Sequence, residues 1–97
     1  MPLSSKQKSY LRGLAHSLKP VVMIGSAGVT EGVLNELHER LAHHELIKVR
    51  LGGMDRDDRV QTAQELCQQT QSELVGTIGH IAILYRRGDK AQITLPQ

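Results

Sequence analysis

The sequence has 97 residues, of which 39% are hydrophobic, and a formal net charge of +2. This length predicts a single domain over residues 1–97 that can form a core without disulfides. The only cysteine, Cys67, excludes an internal disulfide and a cysteine-only zinc site. No run approaches the roughly 20 apolar residues that cross a bilayer. The polar, basic start is not typical of a secretion signal, so we expect a cytoplasmic protein.

Positive charge is concentrated towards the two ends of the chain. No acidic residue precedes Glu31, whereas residues 31–71 carry more acidic than basic side chains and the last residues are again slightly basic. This asymmetry is compatible with a polyanionic partner. It is equally compatible with solvated, charged chain ends, so charge alone leaves both interpretations open.

The first half of the chain predicts a helix, a strand and a second helix. The first helix begins at a Ser4 or Ser5 cap, ends before Pro20 and has an apolar side at helical spacing. Residues 21–24 form an apolar run between proline and glycine, which predicts a strand buried on both faces. Thr30 is a good cap for the second helix, which ends near residues 43–44. The apolar positions of the two helices are Leu11, Leu14, Ala15 and Leu18, followed by Val33, Leu34, Leu37 and Leu41.

The second half predicts a strand, a helix and a hairpin. Residues 46–51 alternate between apolar and basic side chains, which predicts a strand with one partly wet face. A loop then runs to Asp57, and Asp58 with Gln61 has the pattern of a capping box at the start of the third helix. Strands at about 74–78 and 81–86 flank Gly79-His80, a short hairpin connection. The apolar side of the third helix comprises Val60, Ala63, Leu66 and Cys67.

This element order predicts a compact α/β layer fold. Helix, strand, helix, strand, helix, strand, strand contains two strand–helix–strand units, which favour parallel, right-handed crossovers. The terminal hairpin adds an antiparallel neighbour, so the four-stranded sheet should be mixed.

The segment Gly25-Ser26-Ala27-Gly28 is the leading candidate for a binding site. It lies where the first strand turns into the second helix, and glycine there tolerates positive φ and close approach by another backbone. The first amides of the helix lack internal partners and attract anions, including RNA phosphate. The alternative is that both glycines simply mark a tight turn. The segment lacks the Gly-Lys-Ser/Thr of a nucleotide-binding P-loop and the G-x-G-x-x-G of a dinucleotide fold.

Three motifs make the chain resemble the bacterial YhbY family of the CRM domain (chloroplast RNA splicing and ribosome maturation). They are the opening KQKSYLRGLAHSLKPVVMIG, the segment GSAGVTEGVL and the strand HHELIKV. The match spans Leu3 to about Leu51 and extends more loosely through the third helix and the IGHIAILYRR hairpin. The resemblance implies a fold similar to the C-terminal domain of bacterial translation initiation factor three. It also implies RNA binding, in bacteria on precursors of the large ribosomal subunit and in plant organelles in intron splicing.

The resemblance also implies which residues contact RNA. The family's RNA loop corresponds to Gly25, Ser26, Ala27 and Gly28. Many relatives have Asn, Lys or Arg inside this loop, so Ser26 and Ala27 leave mainly backbone amides and one hydroxyl as contacts. The expected basic surface comprises Lys6, Lys8, Arg12 and Lys19, with Lys48 and Arg50 of the second strand.

Other reactive side chains do not indicate an enzyme or a metalloprotein. His38, His43 and His44 lack the i, i+4 spacing of a metal-binding helix face, so we expect neither a metal nor a cofactor. Cys67 lies on an apolar helical stripe, where a buried small hydrophobic residue is the usual role. Tyr10 and Tyr85 are the only aromatic residues, too few for a base-stacking sheet.

Two functions from different classes follow. The first is an RNA-binding factor that associates with precursor large ribosomal subunits and assists their assembly, contacting phosphates through the loop and the basic first helix. The second is a protein-interaction module that docks on ribosomal proteins, in which the glycine loop is only a turn. The acidic middle of the chain keeps the second interpretation open.

Overall fold

The computed structural model describes residues 2–25 and 27–97. Within them the chain forms three helices and four strands, in the order expected from the sequence. In chain order these are α1 (Ser5–Ala15), β1 (Val22–Ile24), α2 (Glu31–His44), β2 (Leu46–Leu51), α3 (Arg56–Thr70), β3 (Glu73–Ile78) and β4 (Ile81–Tyr85). None of the helices in these residues is long and apolar enough to cross a membrane.

The strands form one mixed sheet in the order β1-β2-β4-β3. β1 and β2 pair in parallel around the crossover helix α2, whereas β4 is antiparallel to both of its neighbours. The second strand–helix–strand unit therefore runs β2 and β3 in the same direction, and β4 inserts between them. The expected α/β fold with a mixed four-stranded sheet is confirmed.

Each face of the sheet has its own core. Helices α2 and α3 cover one face, where Leu37, Leu41 and Leu66 pack on Ile47 and Val49 of the central strand. Helix α1 covers part of the other face. The second cluster comprises Leu11, Ala15, Leu46, Val75, Ile83 and Tyr85, with Leu3, Ile93 and Leu95 packed against it. The alternation predicted for β2 is confirmed, since Val49 and Leu51 are buried whereas Arg50 is exposed.

The strand predicted at residues 21–24 is observed, but the prediction that both of its faces are buried is wrong. Val22 and Ile24 are buried, whereas the Met23 side chain between them is 68% exposed. β1 is an edge strand, and α1 lies over β2 and β3 instead of over β1. An apolar run alone does not distinguish a strand that is buried on both faces from a strand that is buried on one face.

Side-chain caps set the starts of the helices. Ser4 caps α1 in a capping box with Gln7, and the Thr30 hydroxyl accepts the Val33 amide at the start of α2, as expected. The predicted start of α3 was wrong. Asp55, not Asp58, is the cap, and its carboxylate accepts the Asp58 amide at 2.9 Å. The helix thus begins within the stretch expected to be a loop.

The C-terminal segment folds back over α1, and a buried carboxylate holds it there. Glu45, which is 1% exposed, accepts backbone N–H groups from Gly88 at 2.6 Å, Gln92 at 2.9 Å and Ile93 at 3.0 Å. Burial raises the pKa of Glu45, but these three donors and nearby Arg87 outweigh it, so the pKa lies below its ordinary value. The Glu45 carboxylate therefore organises the end of the chain.

Candidate nucleic-acid interface

The glycine loop connects the carboxyl end of β1 to the start of α2. The Gly28 amide donates to the Gly25 carbonyl at 3.0 Å, which closes a tight turn. Ala27 is exposed at the tip. Ser26, whose hydroxyl was expected to contact RNA, lies outside the described residues.

The two glycines have different roles in this turn. Gly28 has a φ of +74°, where a residue with a side chain is strained. Gly25 has no such φ, and a Cβ atom added to it would meet nothing within 4 Å. The fold therefore requires glycine at position 28 but not at position 25. Because the fold does not require glycine at position 25, the missing side chain there leaves room for a ligand to approach the backbone closely.

The first turn of α2 presents backbone donors beside this loop. Thr30 satisfies the Val33 amide with its hydroxyl and the Leu34 amide with its carbonyl. The amides of Glu31 and Gly32 come earlier in the helix, where an α-helix offers them no internal acceptor. Together with the helix dipole they can bind a phosphate oxygen. The Glu31 carboxylate lies on the same turn and opposes this attraction.

Two further segments lie at the same end of the sheet as the glycine loop. The Gly52 amide donates to the Ile24 carbonyl at 2.9 Å, and the Leu51 amide donates to the His80 carbonyl at 2.7 Å. The β3–β4 hairpin therefore lies beside the end of β2. Arg59 of α3 reaches this hairpin, with its guanidinium 3.5 Å from Nδ1 of His80.

Sequence reasoning did not identify Arg59 and His80 as candidates for the interface. His80 was predicted only as part of the hairpin connection, and Arg59 belongs to no motif that indicates RNA binding. The shared location depends on strand order, because β4 inserts next to β2 and carries the hairpin to the end of β1 and β2. No local motif contains that information.

Three of the predicted basic residues lie over one half of the sheet, on the α1 side. Lys48 and Arg50 project from β2 on the face opposite buried Val49. The Lys48 ammonium donates to the Leu18 carbonyl at 3.0 Å. Arg12 reaches β3, where its guanidinium donates to the Val75 carbonyl at 3.4 Å. Each thus has a defined position on the sheet.

The other predicted basic residues lie elsewhere. The Lys6 ammonium donates to the Gln97 carbonyl at 3.2 Å and faces the folded-back C-terminal segment. Lys8 is half-buried one turn before Arg12. Lys19 lines an apolar groove with Leu14 and Leu18, near the start of β2. The six basic residues predicted to form one surface therefore lie in separate regions of the structure.

His38 and Cys67 contact other parts of the fold. Nδ1 of His38 lies 2.9 Å from the Arg86 guanidinium, which also donates to the Thr70 carbonyl at 3.0 Å. No group of three potential metal ligands occurs in residues 2–25 and 27–97. Cys67 is buried on the core side of α3, and burial raises the pKa of its thiol. A buried thiol of this kind is a poor nucleophile.

The chain is similar to a known domain family and to named bacterial proteins. The model of the CRS1 / YhbY (CRM) domain matches residues 3–86. A Haemophilus influenzae protein named "RNA-binding protein" is 50% identical over 98% of this chain and 96% of its own length. The Bacillus subtilis protein named "Probable RNA-binding protein YqeI" is 37% identical over 97% of this chain and 99% of its own.

A solved structure has the same fold. The solution structure of a hypothetical protein from Staphylococcus aureus superposes with a TM-score of 0.86 at 39% identity, covering 97% of this chain and 99% of the other. The family match, the near-complete coverage of the relatives and this superposition agree with the resemblance seen in the sequence. The chain belongs to the CRS1/YhbY (CRM) domain family.

Proposed function

We propose that the protein binds structured RNA and holds a phosphate of its backbone against the loop Gly25–Gly28. The observation that carries this proposal is the open space at Gly25, a glycine that neither backbone conformation nor packing requires. The amides of Glu31 and Gly32 and the side chains of Lys48 and Arg50 supply donors and positive charge on neighbouring surfaces. The names of the bacterial relatives support RNA as the ligand.

We further propose that the RNA belongs to precursors of the large ribosomal subunit and that the protein assists their assembly in the cytoplasm. Membership of the CRM domain family supports this role, because the stand-alone bacterial members are expected to act there. No catalytic step is needed, since binding that favours one RNA conformation shifts the population of that conformation.

The basic side chains of β2 should determine how binding depends on salt. Each neutralised phosphate contributes a slope of about 0.7–0.9 to the plot of log affinity against log salt. Replacing both Lys48 and Arg50 by alanine should lower that slope by about two phosphate equivalents. Fluorescence anisotropy with a labelled, structured fragment of large-subunit ribosomal RNA, titrated over a range of salt concentrations, measures the slope.

A control for the removal of positive charge elsewhere is Lys90→Ala. Lys90 lines a pocket with Arg86 and Arg87, beyond the end of β4, so its removal deletes a charge far from the loop. The control should retain the wild-type slope. Equal slopes for all three proteins, or binding that does not change with salt, would contradict phosphate contacts on β2.

The ribosomal role has its own test. A tagged chain should co-sediment in sucrose gradients with precursors of the large subunit, and less with mature subunits. The Lys48→Ala/Arg50→Ala variant should be lost from these fractions. Even distribution between precursor and mature particles would count against a role in assembly while leaving RNA binding intact.

The apolar groove favours a second candidate function, docking onto a ribosomal protein. Leu14, Leu18 and Val21 are each at least 37% exposed and line, with Ile93, a groove of about 450 Å³. Under this alternative, ribosomal proteins should co-purify after RNase treatment, and Leu14→Ser/Leu18→Ser should abolish their recovery without changing affinity for RNA.

A further inference from the structure

A row of mostly apolar side chains, three of them exposed and one half-buried, runs across all four strands next to the glycine loop. The strand register places Met23 beside Arg50, Arg50 beside Ile81 and Ile81 beside Ile78. We call these four residues the open row. Side chains directly opposite on neighbouring strands lie on the same face of a sheet, so the open row forms one continuous strip on the α1 side.

Most of the open row is exposed because α1 packs on the other end of the sheet. Leu11 and Ala15 pack near Leu46 and Tyr85, which pair at one end of β2 and β4. Arg50 and Ile81 pair at the other end of these strands, beyond the reach of α1. Met23 is 68% exposed and Ile78 is 62% exposed, the highest values among the exposed large hydrophobic residues of the described chain.

Positive charge borders this strip. Lys48 pairs with Ile83, and Ile83 with Gly76, so these residues form the neighbouring row across the sheet. Arg12 lies over that row, with its Cδ 3.6 Å from the position that a Cβ on Gly76 would occupy. Neither row contains an acidic residue. A polyanion can therefore lie across this half of the sheet without meeting a carboxylate in either row.

The open row also continues directly into the candidate phosphate site. Met23 lies two residues before Gly25, and the His80 hairpin adjoins the other end of the row. A strand of RNA whose phosphate contacts the loop can therefore extend from the edge strand β1 over Met23 and Arg50. With neighbouring strands about 4.8 Å apart, the row is about 14 Å long, enough for a few nucleotides.

We infer that the open row receives unpaired bases of the bound RNA. This inference rests on the proposed RNA binding and specifies that the bound RNA contains unpaired nucleotides. In a paired helix the base faces are stacked and hidden, whereas unpaired nucleotides expose them to apolar side chains. Contact with such faces removes apolar surface of the Met and Ile side chains from water, which is favourable. Arg50 can stack on the faces through its guanidinium plane. Because contacts with base faces do not read the hydrogen-bonding edges of the bases, binding should tolerate many sequences.

Two labelled probes test the inference, a fully paired RNA duplex and the same duplex carrying a bulge of unpaired nucleotides. The wild-type protein should bind the bulged duplex about tenfold more tightly, because apolar surface is buried only there. The double variant Met23→Ser/Ile78→Ser should lose this preference and bind both probes as the wild type binds the paired one. Both side chains are mostly exposed, so the fold should persist.

The control is Val60→Ser, which alters an exposed aliphatic residue on α3, on the opposite side of the sheet. It should keep the wild-type preference. Equal wild-type affinity for both probes, or equal weakening of both by the double variant, would overturn the inference. Concentration-dependent dimers of the wild type that the double variant cannot form would also overturn it, since the row would then bind a second copy. Failure to bind either probe would instead contradict the proposed function itself.

Discussion

Replacing Glu45 by glycine is expected to destabilise the fold by about 2–4 kcal/mol. The change removes a carboxylate that accepts three backbone N–H groups, from Gly88, Gln92 and Ile93. Each donor left unsatisfied in a partly buried site costs about 1–3 kcal/mol before relaxation. Urea denaturation followed by circular dichroism measures the loss.

The backbone of Glu45 makes this prediction unusual. Glu45 has a φ of 63°, which glycine adopts more readily than glutamate. Judged by backbone conformation alone, glycine should stabilise this position. Gln71 supplies the matched control, because it also ends a helix with positive φ but is exposed. We expect Gln71→Gly to be neutral or stabilising by up to about 1 kcal/mol. Similar effects at both positions would show that the Glu45 carboxylate does not hold the C-terminal segment.

The same carboxylate should make stability depend on pH. The pKa of Glu45 is lower in the folded protein than its ordinary value, so the folded state favours the charged form. The stabilisation is complete above the unfolded pKa of about 4.3 and is lost as the pH falls through the lower folded pKa. Glu45→Gln should lack this part of the acid dependence. Parallel profiles of the variant and the wild type in acid would contradict the assignment.

The second large effect is expected for Gly25→Glu, which should lower RNA affinity by about tenfold or more because it places a negative charge where the phosphate binds. The melting temperature should not change, since the added Cβ meets nothing within 4 Å and φ is not positive. Anisotropy with the ribosomal RNA fragment and thermal denaturation measure the two quantities.

Gly13→Glu is the control with the same change in charge. Position 13 lies on α1, away from buried Leu11 and Ala15, and a Cβ there also meets nothing within 4 Å. Its effect on affinity should be small and removed by salt, because it acts only through screened, longer-range repulsion. An equal loss from both variants would mean that net charge, not the loop, governs binding.

Local signals in the sequence were sufficient for most of the fold. Alternation over residues 46–51, the Thr30 cap and the Gly79-His80 turn each correspond to an observed element. The errors arose where tertiary structure decides. The cap of α3 could be Asp55 or Asp58 by residue type, and only the exposure of Met23 shows that one face of β1 is uncovered.

The candidate site likewise has one part that could be predicted from the sequence and another that could not. The loop Gly25–Gly28 was identified from spacing and resemblance, and its position between β1 and α2 is confirmed. The open row could not be predicted, because its members come from four strands and meet only through the order β1-β2-β4-β3. The role of Glu45 was missed for the same reason, since its partners lie more than 40 residues later in the chain.

The most direct test of the proposed RNA interface is an NMR titration of the isotope-labelled protein with the ribosomal RNA fragment. The proposed binding mode predicts that the largest amide shifts occur at Gly25, Gly28, Glu31 and Gly32, followed by Met23 and Arg50. Shifts confined to the apolar groove, or to Arg86, Arg87 and Lys90 at the other end of the sheet, would contradict it.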